Sequence, residues 1–287
     1  MKKILVGAVA YAPQIVPIWD TIREYANDYF KDIRLDYVLF SNYEAQVHYL
    51  VEGKIDIAWN TNVAYVRSIH AAKGAAEAIL MRDTDIGFKS VFVCKNSSIK
   101  DVKELGGKRF GLGSLDSAQA AIMPLFYLNR LPLKLVESSS IDDNPKLDSV
   151  NLIRFNSDLG KHGDTGKSEF DVLDSIRDGK LDAGAIGSTT WARIMQEGNY
   201  PQMTSFYMSE DYCHCNFTVL KSLDNEIKQS FITMMQSQNN LKNDPKIAHM
   251  MSLEGLNKWV LCDEAAIRGY DDVSKAMELQ NLMELKY

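Results

Sequence analysis

The feature that most constrains this chain is an internal repeat. Residues 3–10, 34–40 and 54–59 are apolar runs with strand character. Between them lie two helical patterns, one from Pro13 through Ile15, Ile18, Trp19, Ile22 and Tyr25, the other over Tyr43–Val51 and closed by Gly53. A third helix over 63–72 follows Asn60-Thr61-Asn62. The same order returns further on: strands over 108–112, 150–155 and 180–186, and helices over 116–129, 168–177 and 191–197. Local wording agrees as well. Glu52-Gly53-Lys54-Ile55-Asp56-Ile57-Ala58 matches Asp178-Gly179-Lys180-Leu181-Asp182-Ala183-Gly184.

Strands that alternate with helices predict parallel sheets covered by helices. Two copies predict an α/β protein of two similar lobes, each a mainly parallel sheet flanked by helices. At 287 residues the chain has room for two cores of ordinary size. Ligands of open α/β sheets sit beyond the carboxyl ends of the strands. Those edges present helix starts near Pro13, Thr61, Ser117 and Thr189, with Ser188 and Thr189 in the last turn. Unpaired N–H groups at such starts suit an anion. The stretch 108–124 is the sharpest case: a strand, Gly111 and Gly113, then Ser114, Asp116 and Ser117, all good N-cap types. The two glycines are read as permitting a tight turn and close approach of a guest.

Beyond Pro201 the pattern changes. Strands are predicted over 203–208 and 213–220, and helices from Asp224, from Pro245 and from Tyr270. A further strand over 86–93 joins the lobes, so the chain crosses near 89–93 and returns near 205–208. The predicted lobes are 1–89 with 207–287, and 90–206, joined by a two-strand hinge.

Net charge is −6, and no basic stripe is present, which argues against nucleic acid. No apolar run is long enough to span a bilayer. Lys2-Lys3 and the short apolar run behind it look superficially like an export signal, but the repeat needs these residues as its first strand. The expected location is therefore periplasmic or cell-surface if this is a mature form, cytoplasmic if the chain starts natively at Met1. Four cysteines, Cys94, Cys213, Cys215 and Cys262, show no disulfide framework.

The residues resemble a known group. Residues 53–60 (Gly-Lys-Ile-Asp-Ile-Ala-Trp-Asn), Ala64-Tyr65-Val66, Lys89-Ser90, residues 101–108 and Gly113-Ser114-Leu115-Asp116-Ser117 are similar to the phosphate, phosphite and phosphonate solute-binding proteins of ABC transporters. The element order resembles the type II periplasmic-binding-protein fold. The resemblance implies a small oxyanion held by Ser114, Asp116, Ser117 and Ala118, with Tyr11, Trp59 and Asn60 completing the pocket. It implies hinge closure on the anion and a membrane permease as partner. A monomer is expected, with no cofactor and no metal. Leu115-Asp116 interrupts the family's Ser/Thr run, and a carboxylate there would repel a fully ionised phosphate.

Other candidates follow from position. Lys161-His162-Gly163-Asp164-Thr165-Gly166 is an insertion at a ligand edge, so His162 and Asp164 are candidate ligand groups. Cys213-His214-Cys215 gathers soft ligands, but neighbours on a strand point to opposite faces and make a poor chelate. His214 or Asn216 is instead expected to line the ligand cleft between the lobes, with the cysteines as small core residues. Trp59, at a strand end, is expected as a pocket wall. No nucleophile elbow, P-loop or HExxH occurs. The rival reading is a cytoplasmic enzyme or sensor on the same fold acting on a small organic acid, with Asp116, His162 and Asp164 as acid–base groups.

Overall fold

A computed structural model describes residues 2–155 and 167–285. The chain divides into two compact units. One comprises Met1–Gly87, Cys213–Ser274 and Asn281–Tyr287, the other Phe88–Tyr212 and Lys275–Gln280.

The first unit opens with β1 (Lys2–Val9), α1 (Ile15–Tyr29), β2 (Ile33–Phe40), α2 (Tyr43–Val51), β3 (Ile57–Asn60), α3 (Asn62–Ala71) and β4 (Ala76–Arg82). The second contains β5 (Ser90–Lys95), β6 (Arg109–Leu112), a π turn (Ala118–Ile122) running into α4 (Met123–Leu128), β7 (Leu135–Glu137), β8 (Val150–Arg154), α5 (Lys167–Arg177), β9 (Ala183–Gly187), α6 (Ser188–Glu197) and β10 (Met203–Met208). The chain then supplies β11 (Asn216–Leu220), α7 (Asn225–Ser237), α8 (Pro245–Glu254), β12 (Trp259–Leu261), α9 (Glu264–Arg268) and α10 (Asp271–Leu279).

Each unit holds a six-stranded sheet, in the orders β12-β4-β11-β3-β1-β2 and β10-β5-β9-β6-β8-β7. The repeat is visible in the pairing. β1 lies parallel between β2 and β3, and β6 lies parallel between β8 and β9. Each triplet is then joined by an antiparallel strand from outside it, β11 beside β3 and β5 beside β9.

Period-2 alternation sorts the side chains of the first sheet. Ile4, Val6 and Ala8 face a core shared with α1, α7 and α8, while Leu5 and Val9 face α2 and α3. In the second unit Phe92, Phe110 and Leu152 face α4, while Val91, Val93 and Ile153 face α5 and α6.

Three element bounds differ from expectation. The joining strand starts at Ser90 rather than residue 86, because Phe88 makes only an isolated bridge to Tyr212. The strand predicted from Cys213 starts at Asn216: the Cys213 N–H donates to the Gly269 carbonyl (2.9 Å) and the His214 N–H to the Asp85 carbonyl (3.0 Å), away from the ladder. The helix predicted from Asp116 starts as a π turn, since the Ser117 carbonyl accepts from both Ala121 N–H (3.1 Å) and Ile122 N–H (3.0 Å). The short strands β7 and β12, and β4 before the crossing, are additions the sequence reading did not contain.

Candidate functional site

In the second unit the strand β6 runs into a closed turn. The Gly113 N–H donates to the Ala120 carbonyl (2.8 Å) and the Ser117 N–H to the Ser114 carbonyl (2.9 Å). Ser117 caps the helical segment, its Oγ accepting the Ala120 N–H at 3.2 Å. Ser117 and Ala118 are both buried. Asp116 is half-buried in the turn, beside an exposed Leu115.

Gly113 is needed here for room, not for backbone freedom. Neither Gly111 nor Gly113 has a positive φ, which corrects the expectation of a glycine-permitted tight turn. A Cβ on Gly113 would stand 2.6 Å from the Ala120 Cβ and 2.9 Å from the Ser168 Oγ. The backbone can thus lie against α5, and the Ser114 N–H donates to the Ser168 Oγ at 3.1 Å. Ser114 itself is 1% exposed, and its Oγ is buried with no hydrogen-bond partner among the described residues. An orphaned hydroxyl of this kind costs desolvation free energy unless something else satisfies it.

The residue next to Ser168 ties this turn to the following one. Glu169 is buried; one carboxylate oxygen accepts Gln119 Nε2–H at 3.0 Å, the other the Gly187 N–H at 2.7 Å. Gly187 is the N-cap of α6. Ser188 is committed to backbone, its Oγ accepting the Lys89 N–H at 3.2 Å and its N–H donating to the Lys89 carbonyl at 2.9 Å. Thr189 stands exposed in the first turn of α6. No cationic side chain pairs with Glu169 among the ion pairs of the described residues, and Lys89, whose backbone pairs with Ser188, forms an ion pair with Asp211 at 2.8 Å.

In the first unit the matching strand ends are filled by the protein's own groups. Tyr11 follows β1, half-buried, packed against the main core. Trp59 is not a pocket wall. It is buried in the core, 4.6 Å from the Phe217 ring and 5.8 Å from Trp259, because period 2 places it on the same sheet face as Ile57, toward α1. Asn60 likewise turns inward. Its Nδ2 donates to Ser68 Oγ (3.2 Å) and Thr218 Oγ1 (2.9 Å), and its Oδ1 accepts from Gln46 Nε2 (2.8 Å), so its amide braces β3 against α2, α3 and β11. Thr61 caps α3, accepting the Ala64 N–H at 3.3 Å.

His214 is buried rather than lining an open surface. Its Nδ1 lies 3.6 Å from the Asp85 carboxylate and 3.1 Å from the Cys215 Sγ. These three side chains offer ligand atoms within 4.8 Å of one another. However, the Asp85 carboxylate already holds a cation, with Arg82 Nε and Nη2 donating to its two oxygens at 2.6 and 2.8 Å. Burial alone would raise the Asp85 pKa, yet Arg82 and His214 outweigh it and hold it at about 2. The trio is a buried ion-pair cluster, while Cys213 points elsewhere, against Gly269.

Thus the structure gathers Ser114, Asp116, Ser117 and Ala118 in one turn and sets Ser188 and Thr189 at the next helix start. It separates Trp59 and Asn60 from any ligand-facing surface of their unit. His162 and Asp164 lie outside the described residues, so of the three acid–base candidates only Asp116 has a described position. The sequence reading missed Ser168, Glu169 and Gln119. Their signal was faint: a Ser-Glu pair opening a helix looks like ordinary capping and dipole pairing.

Two α/β units, each with a parallel triplet joined by an antiparallel strand, have the type II periplasmic-binding-protein fold. The profile of the family described as ABC transporter, phosphonate, periplasmic substrate-binding protein matches residues 10–260, and the chain belongs to that family. The family is one of transporter binding proteins, not of enzymes. A probable ABC transporter phosphite binding protein, PhnD1 of Prochlorococcus marinus (strain MIT 9301), is 26% identical over 217 residues, 72% of this chain. The match spans 65% of that relative's length, just under two thirds. Among solved structures, XAC2383 from Xanthomonas citri bound to ATP superposes with a TM-score of 0.77 at 16% identity, covering 99% of this chain and 100% of that one. PhnD1 from Prochlorococcus marinus in complex with methylphosphonate gives 0.69 at 18% identity, covering 98% and 99%. At those identities the structures speak for the fold.

Proposed function

We propose that this protein binds a small tetrahedral phosphorus oxyanion, of the phosphonate, phosphite or phosphate class, for the permease of an ABC importer. The observation that carries the reading is the Ser114 hydroxyl, buried and without a partner among the described residues, at the start of a helical segment capped by Ser117. A hydroxyl donor beside first-turn N–H groups matches an oxyanion's several acceptor lone pairs. This turn, Ser114 through Ala118, is the oxyanion seat. Neutral donors replace water around the anion, so selectivity rests on geometry and hydrogen-bond count instead of a salt bridge. The family and the phosphite-binding relative support the same ligand class. A permease partner implies work on the outer side of the cytoplasmic membrane, as a monomer. Among the described residues no helix is long and apolar enough to cross a membrane.

The test is thermal unfolding against phosphate, phosphite, methylphosphonate, aminoethylphosphonate, sulfate and a set of carboxylates. A ligand that binds only the folded form at a hundred times its Kd adds about 2.7 kcal/mol, a rise of roughly 5–10 °C for a chain of this size. A concentration-dependent rise with a phosphorus oxyanion is the expected result. A flat response to all of them, with a rise for an organic acid, contradicts the reading.

A further inference from the structure

We propose that Pro124 is a positioning residue for the anion seat: it withholds a backbone N–H from the Ala120 carbonyl, leaves that carbonyl to Gly113, and so fixes the exit of β6. The inference rests on the reading of residues 114–118 as an oxyanion seat and names what keeps that seat in shape. The π turn Ala118–Ile122 runs without a break into α4, and Pro124 is the second residue of α4. In an α-helix each N–H donates to the carbonyl four residues back. The helical partner of the Ala120 carbonyl is therefore residue 124, and proline has no N–H to give. Its ring also presses on the carbonyl four residues back. Just before the proline the coil is wider. The Ile122 N–H donates to the Ser117 carbonyl at 3.0 Å and the Met123 N–H to the Ala118 carbonyl, the spacing of a π turn.

A buried carbonyl must find a donor. Ala120 and Pro124 are both buried, and the Ala120 carbonyl takes the Gly113 N–H at 2.8 Å. A second observation sets the same two residues together: a Cβ on Gly113 would stand 2.6 Å from the Ala120 Cβ. The next amide is held from the other side, with the Ser114 N–H on Ser168 Oγ at 3.1 Å. Two consecutive N–H groups thus pin the turn, one to its own helix and one to α5. The Ser114 hydroxyl is placed by both. Pro124 acts on it through the Ala120 carbonyl and Gly113, with no contact to the anion required. An ordinary residue at 124 brings a new N–H that competes with Gly113 for one carbonyl. The coil then tightens toward regular α geometry, and the Gly113 end of the seat is released.

Amide exchange followed by NMR, titration with methylphosphonate and melting without ligand test this on the wild-type protein, Pro124→Ala and Pro124→Val. Both variants restore an N–H at 124, and valine keeps the bulk of the ring. In the wild-type protein the Gly113 amide should exchange slowly. In both variants it should exchange faster, and affinity should fall roughly fivefold, the worth of one net hydrogen bond. The ligand-free melting temperature should hold or rise, because proline is the poorest helix former. A merely structural proline would do the reverse, lowering stability and leaving the affinity of the folded fraction alone. Pro245→Ala, at the first position of α8 in the other unit, is the control and should leave affinity unchanged. A Gly113 amide that exchanges freely in the wild-type protein overturns the inference, whether or not the variants fold. Wild-type affinity in a folded Pro124→Val overturns it too, as does an equal loss of affinity in Pro245→Ala. Failure of the wild-type protein to bind methylphosphonate, phosphite or phosphate is a different result, and it removes the oxyanion reading together with this one.

Discussion

Ser168 Oγ accepts the backbone N–H of Ser114 at 3.1 Å, and this one bond fixes where the Ser114 hydroxyl sits. It is possible because Gly113 has no side chain to hold β6 away from α5. The consequence is a hydroxyl that is buried yet unpaired among the described residues, whereas the amide of Asn60, at the end of β3, is fully bonded. On the proposed reading, function and stability pull in opposite directions at Ser114.

Arg82→Met should destabilise the first unit by about 3–5 kcal/mol, because it strands the Asp85 carboxylate in the core. The pH dependence should change sign as well. In the wild-type protein Asp85 is held at about 2 against an ordinary 3.8, so its contribution is full above about pH 5 and is lost as pH falls through 3.8 toward 2. Without Arg82 the buried acid titrates upward, and the variant should be more stable at pH 4 than at pH 7. Urea unfolding across pH 2–7 measures both. A variant with the wild-type slope would show that Arg82 does not set the Asp85 charge.

Gly184→Ala should cost about 1–3 kcal/mol. A Cβ there would stand 2.4 Å from Val172 Cγ1 and 3.0 Å from the Gly111 carbonyl oxygen, so α5 must move off the sheet. Because Ser168 and Glu169 ride on that helix, anion affinity should fall with stability. Chemical denaturation and titration on one sample check the coupling; loss of stability with unchanged affinity would separate the sheet packing from the seat.

Trp59→Ala should cost about 3–5 kcal/mol through the cavity left against Phe217 and Trp259. The folded fraction should keep its affinity for the anion, since the ring is only 3% exposed. Titration well below the melting temperature reads this directly, and a large affinity loss in a folded variant would return Trp59 to the binding surface.

Much of this was legible in the sequence. The repeat survived because it rests on signals that chain-local physics enforces: apolar runs, helical periods, and the two Gly-Lys-hydrophobic-Asp turns. The turn proposed as the anion seat was legible for the same reason, as the Ser117 cap is local chemistry. What failed depended on distant partners. Trp59 was read from its strand-end position, although alternation with Ala58 puts it on the core side. The start of β11 was misplaced because the N–H groups of Cys213 and His214 go to Gly269 and Asp85, far away in sequence. Glu169 gave only the faint signal of an acid in a first helical turn, since its two partners lie 50 residues before it and 18 after it.

The central claim is that the Ser114 hydroxyl is kept for an anion. Ser114→Ala, measured by titration with methylphosphonate and by melting without ligand, tests it most directly. The lost hydrogen bond to a charged group is worth about 1.5–3 kcal/mol, so affinity should fall roughly 10- to 100-fold. Removing an unpaired buried hydroxyl should leave the ligand-free melting temperature unchanged or higher. Unchanged affinity, or a melting temperature that falls as far as the affinity does, would contradict the account.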